Sequence, residues 1–267
     1  MQRIARRLLV DEGVTTSGSM KKWIYYIAND LVLAPFGLKL SFSIGADPIQ
    51  DMARLLKNCP VRHIVDGGAH TGDFSRKVAS AFPSSKIEAF EPASETYQAL
   101  QREIAAWPQV RAHKLALGTE SDIRSFHNNA STKTSSLRRS TAAGEKYFAD
   151  LVTQSGQEEV SVVPLGEFCQ KHGIDCLDII KLDLQGNEMD ALKGAGELVD
   201  TAKIIFVEVQ FMQIYEGAAL FSDLEIFLRS KGLDLYQFYD LVRSPTDGRL
   251  IYGDALFVRR SLLAGTL

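Results

Sequence analysis

Residues 64–74 have the sequence IVDGGAHTGDF, in which a short apolar run ends at Asp66 and a glycine-rich turn follows. Apolar residues then recur at helical spacing, at Phe74, Val78 and Phe82. Glycines between a strand and a helix let the backbone approach a ligand closely, and the N–H groups at the start of the helix are free to bind it. The stretch therefore predicts a strand, a ligand-binding turn and a helix, the opening unit of a Rossmann-like α/β fold.

Runs with the composition of strands alternate with helix-like segments through most of the remaining chain. The strand-like runs are residues 61–66, 86–90, 110–115, 160–163, 178–184, 202–209, 235–239 and 255–258. Strand–helix alternation requires parallel strands, whereas the last two runs are joined by a turn-rich segment and should pair as an antiparallel hairpin. We therefore predict a doubly wound α/β domain with a mostly parallel seven-stranded sheet and one antiparallel strand near the C-terminus.

The chain divides into a main domain and a preceding segment. We predict an N-terminal helical extension over residues 1–59 and the α/β domain over residues 60–267. The apolar stretch 23–40 is interrupted by polar residues, a proline and a glycine, and it cannot span a bilayer, which needs about 20 mainly apolar residues. It is predicted to form an amphipathic helix that packs on the domain or makes peripheral contact with a membrane surface.

Residues 128–157 interrupt the alternation of strands and helices. Their first part is rich in loop-forming residues: Asn128, Asn129, Ser131, Thr132, Thr134, Ser135 and Ser136. An irregular segment of about 30 residues inside a compact domain is usually an active-site lid or a mobile loop. We predict a lid loop over residues 128–157.

The composition limits the classes of partner and compartment. Apolar residues make up 45% of the chain and its formal net charge is −3, which is typical of a folded protein without a basic face for nucleic acid. Cys59, Cys169 and Cys176 show no metal-ligand spacing, and their odd number suits a reducing compartment. We expect a cytoplasmic protein that does not bind nucleic acid. The composition does not indicate its oligomeric state.

Two acidic residues follow neighbouring strands beside the glycine turn. Asp66 ends the first strand, where it could accept hydrogen bonds from amides of the turn and face a positively charged ligand group. Glu91 ends the second strand, about 20 residues after Gly72, which is the position of the acid that binds ribose hydroxyls in nucleotide-binding folds. The ligand should lie where the strand order reverses, outside the carboxyl ends of the strands. The pattern predicts a nucleoside cofactor.

A degenerate dinucleotide-binding motif is the alternative reading of the same turn. Asp66 argues against it, because an acid inside the strand would repel a pyrophosphate. Glu91 is followed directly by Pro92, and the chain has no Tyr-x-x-x-Lys pair of the kind found in short-chain dehydrogenases. These features favour a cationic nucleoside over a nicotinamide dinucleotide, and a nicotinamide-dependent Rossmann oxidoreductase stays an alternative.

Five segments in the same order and at family-like spacing resemble the FkbM family of methyltransferases. They are VDGGAHTGDFS (65–75), AFEP (89–92), IKLDLQGNE (180–188), LKGA (192–195) and FVEV (206–209). The resemblance runs from about residue 61 to residue 259. It implies a class I methyltransferase fold, S-adenosylmethionine as the cofactor, and O-methylation of sugars in surface glycans or of polyketide-type natural products.

The resemblance also assigns residues to the cofactor, with Ala116 and Leu117 along the adenine. Together with the turn, the predicted cofactor site consists of Asp66, Gly67, Gly68, His70, Gly72, Glu91, Pro92, Ala116, Leu117 and Asp183. The chain departs from the family pattern at three positions. His70 stands where asparagine is common, Gln185 where glutamate is frequent, and Gly166 where an aspartate is usual.

Methyl transfer to a hydroxyl requires that the proton of the acceptor be removed. Asp183 and Glu208 end neighbouring strands that open on the cofactor crevice, so either acid could be the general base. The pair could instead bind Mg²⁺ or Mn²⁺, or the two acids could cap the following helices. His127 is a weaker candidate for the base, and Tyr215 could stack on a sugar ring or be an ordinary half-buried tyrosine.

These observations predict an S-adenosylmethionine-dependent O-methyltransferase that acts on a sugar hydroxyl of a glycan or a glycosylated metabolite. The expected partner is a saccharide or small-molecule acceptor. Alternatives are a methyltransferase of a polyketide or other small natural product, methylation of a nitrogen acceptor, a non-catalytic cofactor-binding module, and the oxidoreductase named above.

Overall fold

A computed structural model of the chain describes residues 47–263. The strands in this range are β1 (His63–Gly67), β2 (Lys86–Phe90), β3 (Val110–His113), β4 (Ala116–Leu117), β5 (Asp122–Asn129), β6 (Gln154–Val163), β7 (Ile179–Leu182), β8 (Ile204–Gln210), β9 (Leu233–Arg243) and β10 (Leu250–Arg259). The helices are α1 (Pro48–Leu55), α2 (Asp73–Ala81), α3 (Ser94–Glu103), α4 (Ala142–Val152), α5 (Leu165–Lys171), α6 (Glu188–Ala195), α7 (Leu198–Thr201), α8 (Phe221–Ser230) and α9 (Arg260–Leu263). A short 3-10 helix spans Thr132–Thr134.

The main sheet has seven strands in the order β3-β2-β1-β7-β8-β10-β9. β1 pairs in parallel with β2 on one side and with β7 on the other, and β7 pairs in parallel with β8. β10 runs antiparallel to both of its neighbours, β8 and β9. The predicted fold is confirmed: a doubly wound, mostly parallel sheet with one antiparallel strand, of the class I methyltransferase type. The strand order reverses between β1 and β7, which places a ligand crevice at the carboxyl ends of these strands.

The central strands are almost wholly apolar because secondary structure covers both faces of the sheet. Every residue of β7 is buried, and in β8 only Glu208 is partly exposed. Adjacent residues alternate between two core layers: Ile179 and Ile204 belong to one layer, and Ile180 and Ile205 to the other. The carboxylate of Glu208 therefore follows four apolar residues of β8.

Helix α1 belongs to the α/β domain, which corrects the predicted boundary after residue 59. Met52 of this helix is fully buried in the core. The Tyr239 hydroxyl on β9 donates a hydrogen bond to the Asp51 carboxylate at 2.7 Å. Because of such contacts, the described residues from Asp47 onward belong to one compact unit, so the domain begins before this helix.

Most of the predicted N-terminal extension, including the stretch 23–40 with its proposed membrane contact, lies outside the described residues. Within residues 47–263, no helix is long and apolar enough to cross a membrane.

Residues 128–157 contain regular secondary structure, so the prediction of one irregular loop is wrong. β5 and β6, which flank the segment, pair antiparallel and form a second, three-stranded sheet with β4. Helix α4 lies between them in sequence. The turn-forming residues are concentrated in 128–136, and good helix formers such as Ala142 and Ala143 follow, so the polar average of the segment concealed a helix. That the segment acts as a lid stays a prediction.

Candidate functional site

The glycine turn after β1 packs its backbone against the end of β7. Gly68 has a φ of 72°, and a Cβ atom at this position would lie 1.9 Å from the carbonyl oxygen of Asp183, so no other residue fits. A Cβ atom on Gly67 would lie 3.0 Å from the side chain of Leu117 in β4. The structure thus brings together the turn, Leu117 and Asp183, three parts of the predicted cofactor site that are far apart in sequence.

Asp66 lies beneath this turn with its carboxylate fully buried. One oxygen accepts a hydrogen bond from the Ser75 hydroxyl at 2.6 Å, and the other lies 3.0 Å from the Lys181 ammonium group. Lys181 also donates to the carbonyl oxygens of Gly67 and Gly68, at 3.2 and 2.7 Å. Asp66 and Lys181 therefore shape the turn from below, which corrects the expectation that Asp66 accepts from amides of the turn.

Lys181 was not among the residues predicted from the sequence. Burial alone would lower the pKa of this ammonium group, but the carboxylates of Asp66 and Asp183 outweigh burial and raise the pKa. The available signal was a lysine in the middle of an apolar strand, where a charge is rare unless it is paired. Its partner could not be read from the chain, because the pairing of Asp66 with Lys181 depends on the register between β1 and β7.

Glu91 follows β2 and is 6% exposed. Its two carboxylate oxygens accept hydrogen bonds from the backbone N–H groups of His70 and Ala93, at 3.0 and 2.9 Å. Burial raises its pKa to about 7, although both backbone bonds act in the opposite direction. His70 has a φ of 49°, and its Nε2 atom lies 2.8 Å from the Thr132 hydroxyl. Glu91 therefore connects the ends of the first two strands at the crevice.

The other predicted cofactor residues flank this centre. Gly72 has a φ of 85° and precedes α2, where a side chain would meet Leu100. Pro92 is buried next to Glu91, and Ala116 is buried in β4. The predicted set is gathered around one crevice, and its contact with a cofactor stays a prediction.

Asp183 and Glu208, the predicted catalytic acids, are bridged by one side chain. The Nε2 atom of Gln185 donates to Oδ1 of Asp183 at 2.6 Å and to Oε2 of Glu208 at 3.1 Å. The Tyr215 hydroxyl donates to Oε1 of the same amide at 2.7 Å. The acids are therefore neighbours, as their positions at adjacent strand ends predicted.

The environments of the two acids differ. Burial raises the pKa of Glu208 well above its ordinary value, and the nearby charges of Asp183, Glu188 and Asp254 raise it further. The Asp183 side chain is 42% exposed. Among the described residues, neither acid accepts a hydrogen bond from a helix N–H group. Glu188 accepts hydrogen bonds from the backbone N–H groups of Leu184 and Gly186, which lie in the loop before α6. The helix-capping alternative for the two acids is therefore not supported.

A third carboxylate, Asp254, lies next to Asp183 and Glu208, and it was not predicted from the sequence. Asp254 lies directly opposite Glu208 in the antiparallel pairing of β10 with β8, so both side chains point to the same face of the sheet. Burial raises its pKa to about 7, with a further contribution from Asp183. An aspartate inside the apolar strand of residues 250–259 was the available signal, but its neighbour depends on strand register.

Residues 131–138, which we call the strap, run across the crevice. Thr132 contacts His70, and the fully buried Ser136 donates its hydroxyl hydrogen to the Gln185 carbonyl oxygen at 2.7 Å. Arg138 forms an ion pair with Asp190 at 2.7 Å. The strap therefore contacts both the glycine turn and the residue that bridges the two acids.

Two weaker candidates have other surroundings. Tyr215 is 2% exposed, and its pKa is raised by burial and then by Glu208, so the tyrosine is a buried hydrogen-bond donor that presents no face to a sugar. His127 is buried in β5, where its backbone pairs with Ser136. The structure places this histidine in the second sheet, and no described contact joins it to the acid pair.

The sequence left open a divalent cation at Asp183 and Glu208. In the described part of the chain, no three His, Cys, Asp or Glu side chains are grouped so that they could hold a metal ion. The amide N–H groups of Gln185 lie between the two carboxylates, where a bridging cation would bind. The geometry therefore does not support a divalent cation bound between Asp183 and Glu208.

Comparison with known proteins agrees with this architecture. The FkbM methyltransferase domain model matches residues 66–235. The 2-O-methyltransferase NoeI of Sinorhizobium fredii (strain NBRC 101917 / NGR234) is 24% identical over 212 residues, which cover 78% of this chain and 82% of that protein. The methyltransferase sdnD of Sordaria araneosa is 26% identical over 236 residues, covering 79% and 86%.

A solved structure is also similar to this chain. The crystal structure of a methyltransferase FkbM from Methylobacillus flagellatus KT aligns with a TM-score of 0.47 and 16% identity over 74% of this chain and 44% of that one. The chain thus spans less than half of that protein. Since the family model matches more than half of the present chain, the chain belongs to the FkbM family of methyltransferases.

Proposed function

We propose that this protein is an S-adenosylmethionine-dependent O-methyltransferase that acts on a sugar hydroxyl of a glycan or glycosylated metabolite. One observation carries the proposal: the backbone of the glycine turn touches that of Asp183, so a cofactor in the turn and a carboxylate able to take a proton share one crevice. Methyl transfer needs both features within reach of the same acceptor atom.

The residues present fit S-adenosylmethionine. Glu91 would accept hydrogen bonds from the two ribose hydroxyls, Leu117 would lie along the adenine, and the backbone between Gly68 and Gly72 would hold the amino-acid end. Glycine at Gly68 lets the turn pack directly against the backbone of Asp183, which brings the cofactor turn and this acid to the same crevice. When bound, the cofactor supplies a methyl group activated by a sulfonium centre.

The two acids have different roles in the proposed reaction. Asp183 is the more exposed acid and would take the proton of the acceptor hydroxyl during methyl transfer. Glu208, whose pKa is raised by burial and by Asp183, lies beside it and orients the acceptor oxygen. The protein thus removes a proton with one acid and orients the oxygen with the other.

The acceptor class is supported by similarity. NoeI is a 2-O-methyltransferase by name, and it covers most of this chain at 24% identity. The row of three carboxylates disfavours an acceptor with a negative charge near the methylated oxygen, so nucleic acid is not the proposed partner. We place the reaction in the cytoplasm, since the three cysteines are free thiols.

Transfer of a labelled methyl group tests the proposal. The purified protein is incubated with S-adenosylmethionine and, in parallel arms, with neutral oligosaccharides, activated sugars, small polyketides and RNA. The proposal predicts label on a saccharide oxygen, with transfer by the Asp183→Asn variant slower by about 100-fold or more. Label that appears only on a polyketide, on RNA or on nitrogen would contradict the proposed acceptor.

A further inference from the structure

Gln185 has a backbone conformation that is unusual for its type. Its φ is +54°, in the left-handed region, where a residue with a side chain is strained and glycine is not. The next residue, Gly186, also has a positive φ, of 99°. The Gln185 carbonyl oxygen accepts a hydrogen bond from the buried Ser136 hydroxyl of the strap. If only the turn mattered, a second glycine would fit there with less strain, so the side chain itself is the reason to look for a role.

The side chain of Gln185 uses every hydrogen-bonding group it has. Its two N–H bonds are directed at two different carboxylates, those of Asp183 and Glu208. Its oxygen accepts from the Tyr215 hydroxyl, and burial keeps that hydroxyl protonated and able to donate. Rotation of the amide by 180° would turn its oxygen toward both carboxylates, which is unfavourable. The orientation of the amide is therefore fixed.

We propose that Gln185 is a positioning residue, which acts through the acid pair and does not touch the acceptor itself. Its amide holds Asp183 and Glu208 at a set separation and occupies one oxygen of each, so that the other oxygens face the crevice. Tyr215 fixes the amide, and the strap fixes the backbone beneath it. The inference rests on the proposed function, because it gives the two acids their roles in methyl transfer.

The proposal gives a reason for the glutamine of this chain, which stands at a position where glutamate is frequent in the family. A glutamate has the same shape, but it carries at most one proton and cannot donate to two carboxylates at once. It would also add a fourth acid to the row of Asp183, Glu208 and Asp254. An asparagine keeps the amide but is shorter by one methylene group, so it cannot span the two acids. Glutamine is the side chain that meets both requirements.

Steady-state kinetics on the full chain separate a positioning role from a purely structural one. Gln185→Glu and Gln185→Gly should each lower kcat by about tenfold or more while acceptor KM and cofactor Kd change less than about twofold. Gln185→Gly removes the backbone strain, so its melting temperature should not follow its kcat downward. Asp240→Gly is the matched control, since Asp240 is an exposed residue with a φ of 47° on β9. Its kcat should equal that of wild type.

A double-mutant cycle tests the part played by Tyr215. Tyr215→Phe should lower kcat, and adding it to Gln185→Gly should lower kcat no further, because the tyrosine acts through the amide. Wild-type kcat in Gln185→Glu and Gln185→Gly, or a loss of kcat that tracks a loss of folded protein, would overturn the inference. Methyl transfer by the wild type is scored separately. If the wild type methylates none of the acceptors, that result refutes the proposed function and not the positioning role.

A readout independent of turnover completes the experiment. The side-chain amide protons of Gln185, observed by NMR on 15N-labelled protein, should exchange slowly with solvent. Asp183→Asn and Tyr215→Phe should each shift the resonances of these amide protons. Exchange at the rate of a free glutamine amide in wild type would overturn the positioning role whether or not an acceptor is found.

Discussion

Asp254 on β10 lies directly opposite Glu208 on β8, and Asp183 ends the strand on the other side of Glu208. Three carboxylates therefore form a row across three adjacent strands at the crevice. Burial and mutual repulsion raise the pKa values of Glu208 and Asp254, and that of Asp254 is about 7. Acids packed this closely with few cations nearby destabilise the folded state. Such an arrangement is typical of a site whose chemistry needs the acids.

The first prediction is that the domain is less stable at pH 8 than at pH 5.5. Glu91, Glu188 and Asp254 each have a pKa raised to about 7 in the folded state, chiefly by burial. An acid whose pKa is raised in the folded state contributes stability at a pH below its pKa in the unfolded state. That stability is lost as the pH rises through its pKa in the folded state. The free energy of unfolding, measured by urea titration without cofactor, should fall by at least about 2 kcal/mol over this window. The lowered pKa of His70 acts in the opposite direction and is the smaller effect.

Asp254→Asn provides the control for this first prediction. In the described structure Asp254 has no hydrogen-bond partner, so the amide loses no contact and removes the repulsion. The variant should be more stable than wild type by about 1–2 kcal/mol at pH 8, with a smaller gain at pH 5.5. A stability profile that rises from pH 5.5 to pH 8, or that Asp254→Asn leaves unchanged, would refute the description of the row.

The second prediction concerns the pH dependence of cofactor binding. In the proposed complex the ribose hydroxyls would donate to the ionised form of Glu91, whose pKa is raised to about 7 by burial. The Kd for S-adenosylmethionine should therefore rise as the pH falls below 7, by about tenfold per unit at the limit. Glu91→Gln should bind at least about 1.5 kcal/mol more weakly at pH 8 and lose the pH dependence. Calorimetry at pH 6, 7 and 8 measures the Kd of the wild type and of Glu91→Gln. A wild-type Kd that does not change with pH would argue against the role of Glu91.

How far the sequence predicts the site depends on whether the signal is local. Asp66, Glu91, Asp183 and Glu208 were found because each follows an apolar run, and the ends of parallel strands meet at one edge. Lys181, Asp254 and the bridge by Gln185 were not found. Their partners lie across strands that are distant in sequence, and strand register comes from the packed sheet alone.

The fold shows the same division between local and non-local signals. The seven-stranded sheet could be predicted because apolar periodicity marks the strands, and because residues 244–248 leave no room for a helix between β9 and β10. The segment 128–157 was misread because the helix at 142–152 follows a polar stretch. The boundary after residue 59 was wrong because the apolar helix face of Met52, Leu55 and Leu56 indicates burial but not the surface against which the helix packs.

The third prediction concerns Lys181, whose ammonium group pairs with the fully buried Asp66. Lys181→Met removes the positive charge and leaves Asp66 uncompensated, so the domain should lose about 3–5 kcal/mol of stability. Lys231→Ala, which breaks the exposed pair with Asp200, is the matched control and should cost less than about 1 kcal/mol. Equal effects of the two substitutions in urea unfolding would show that Lys181 does not hold the turn.

The fourth prediction concerns the strap, which contacts His70 and Gln185. We expect residues 131–138 to close over bound substrates, because the strap joins the glycine turn to the acid pair. Hydrogen exchange of this segment should slow when cofactor and acceptor are both bound. Arg138→Ala, which breaks the ion pair with Asp190, should reduce that protection and raise acceptor KM severalfold. Exchange that stays unchanged in the ternary complex would show that the strap is a fixed wall of the crevice.

The central claim is that Asp183 removes the acceptor proton, and the Asp183→Asn variant tests it most directly. The amide keeps the size of the side chain but removes its charge and its ability to take a proton. Methyl transfer to the identified acceptor, measured with and without chelator, should fall by about 100-fold or more in the variant, with cofactor Kd within about twofold of wild type and no effect of chelator on the wild-type rate. Near-normal turnover by Asp183→Asn, or activity lost to chelator and restored by Mg²⁺ or Mn²⁺, would contradict the account.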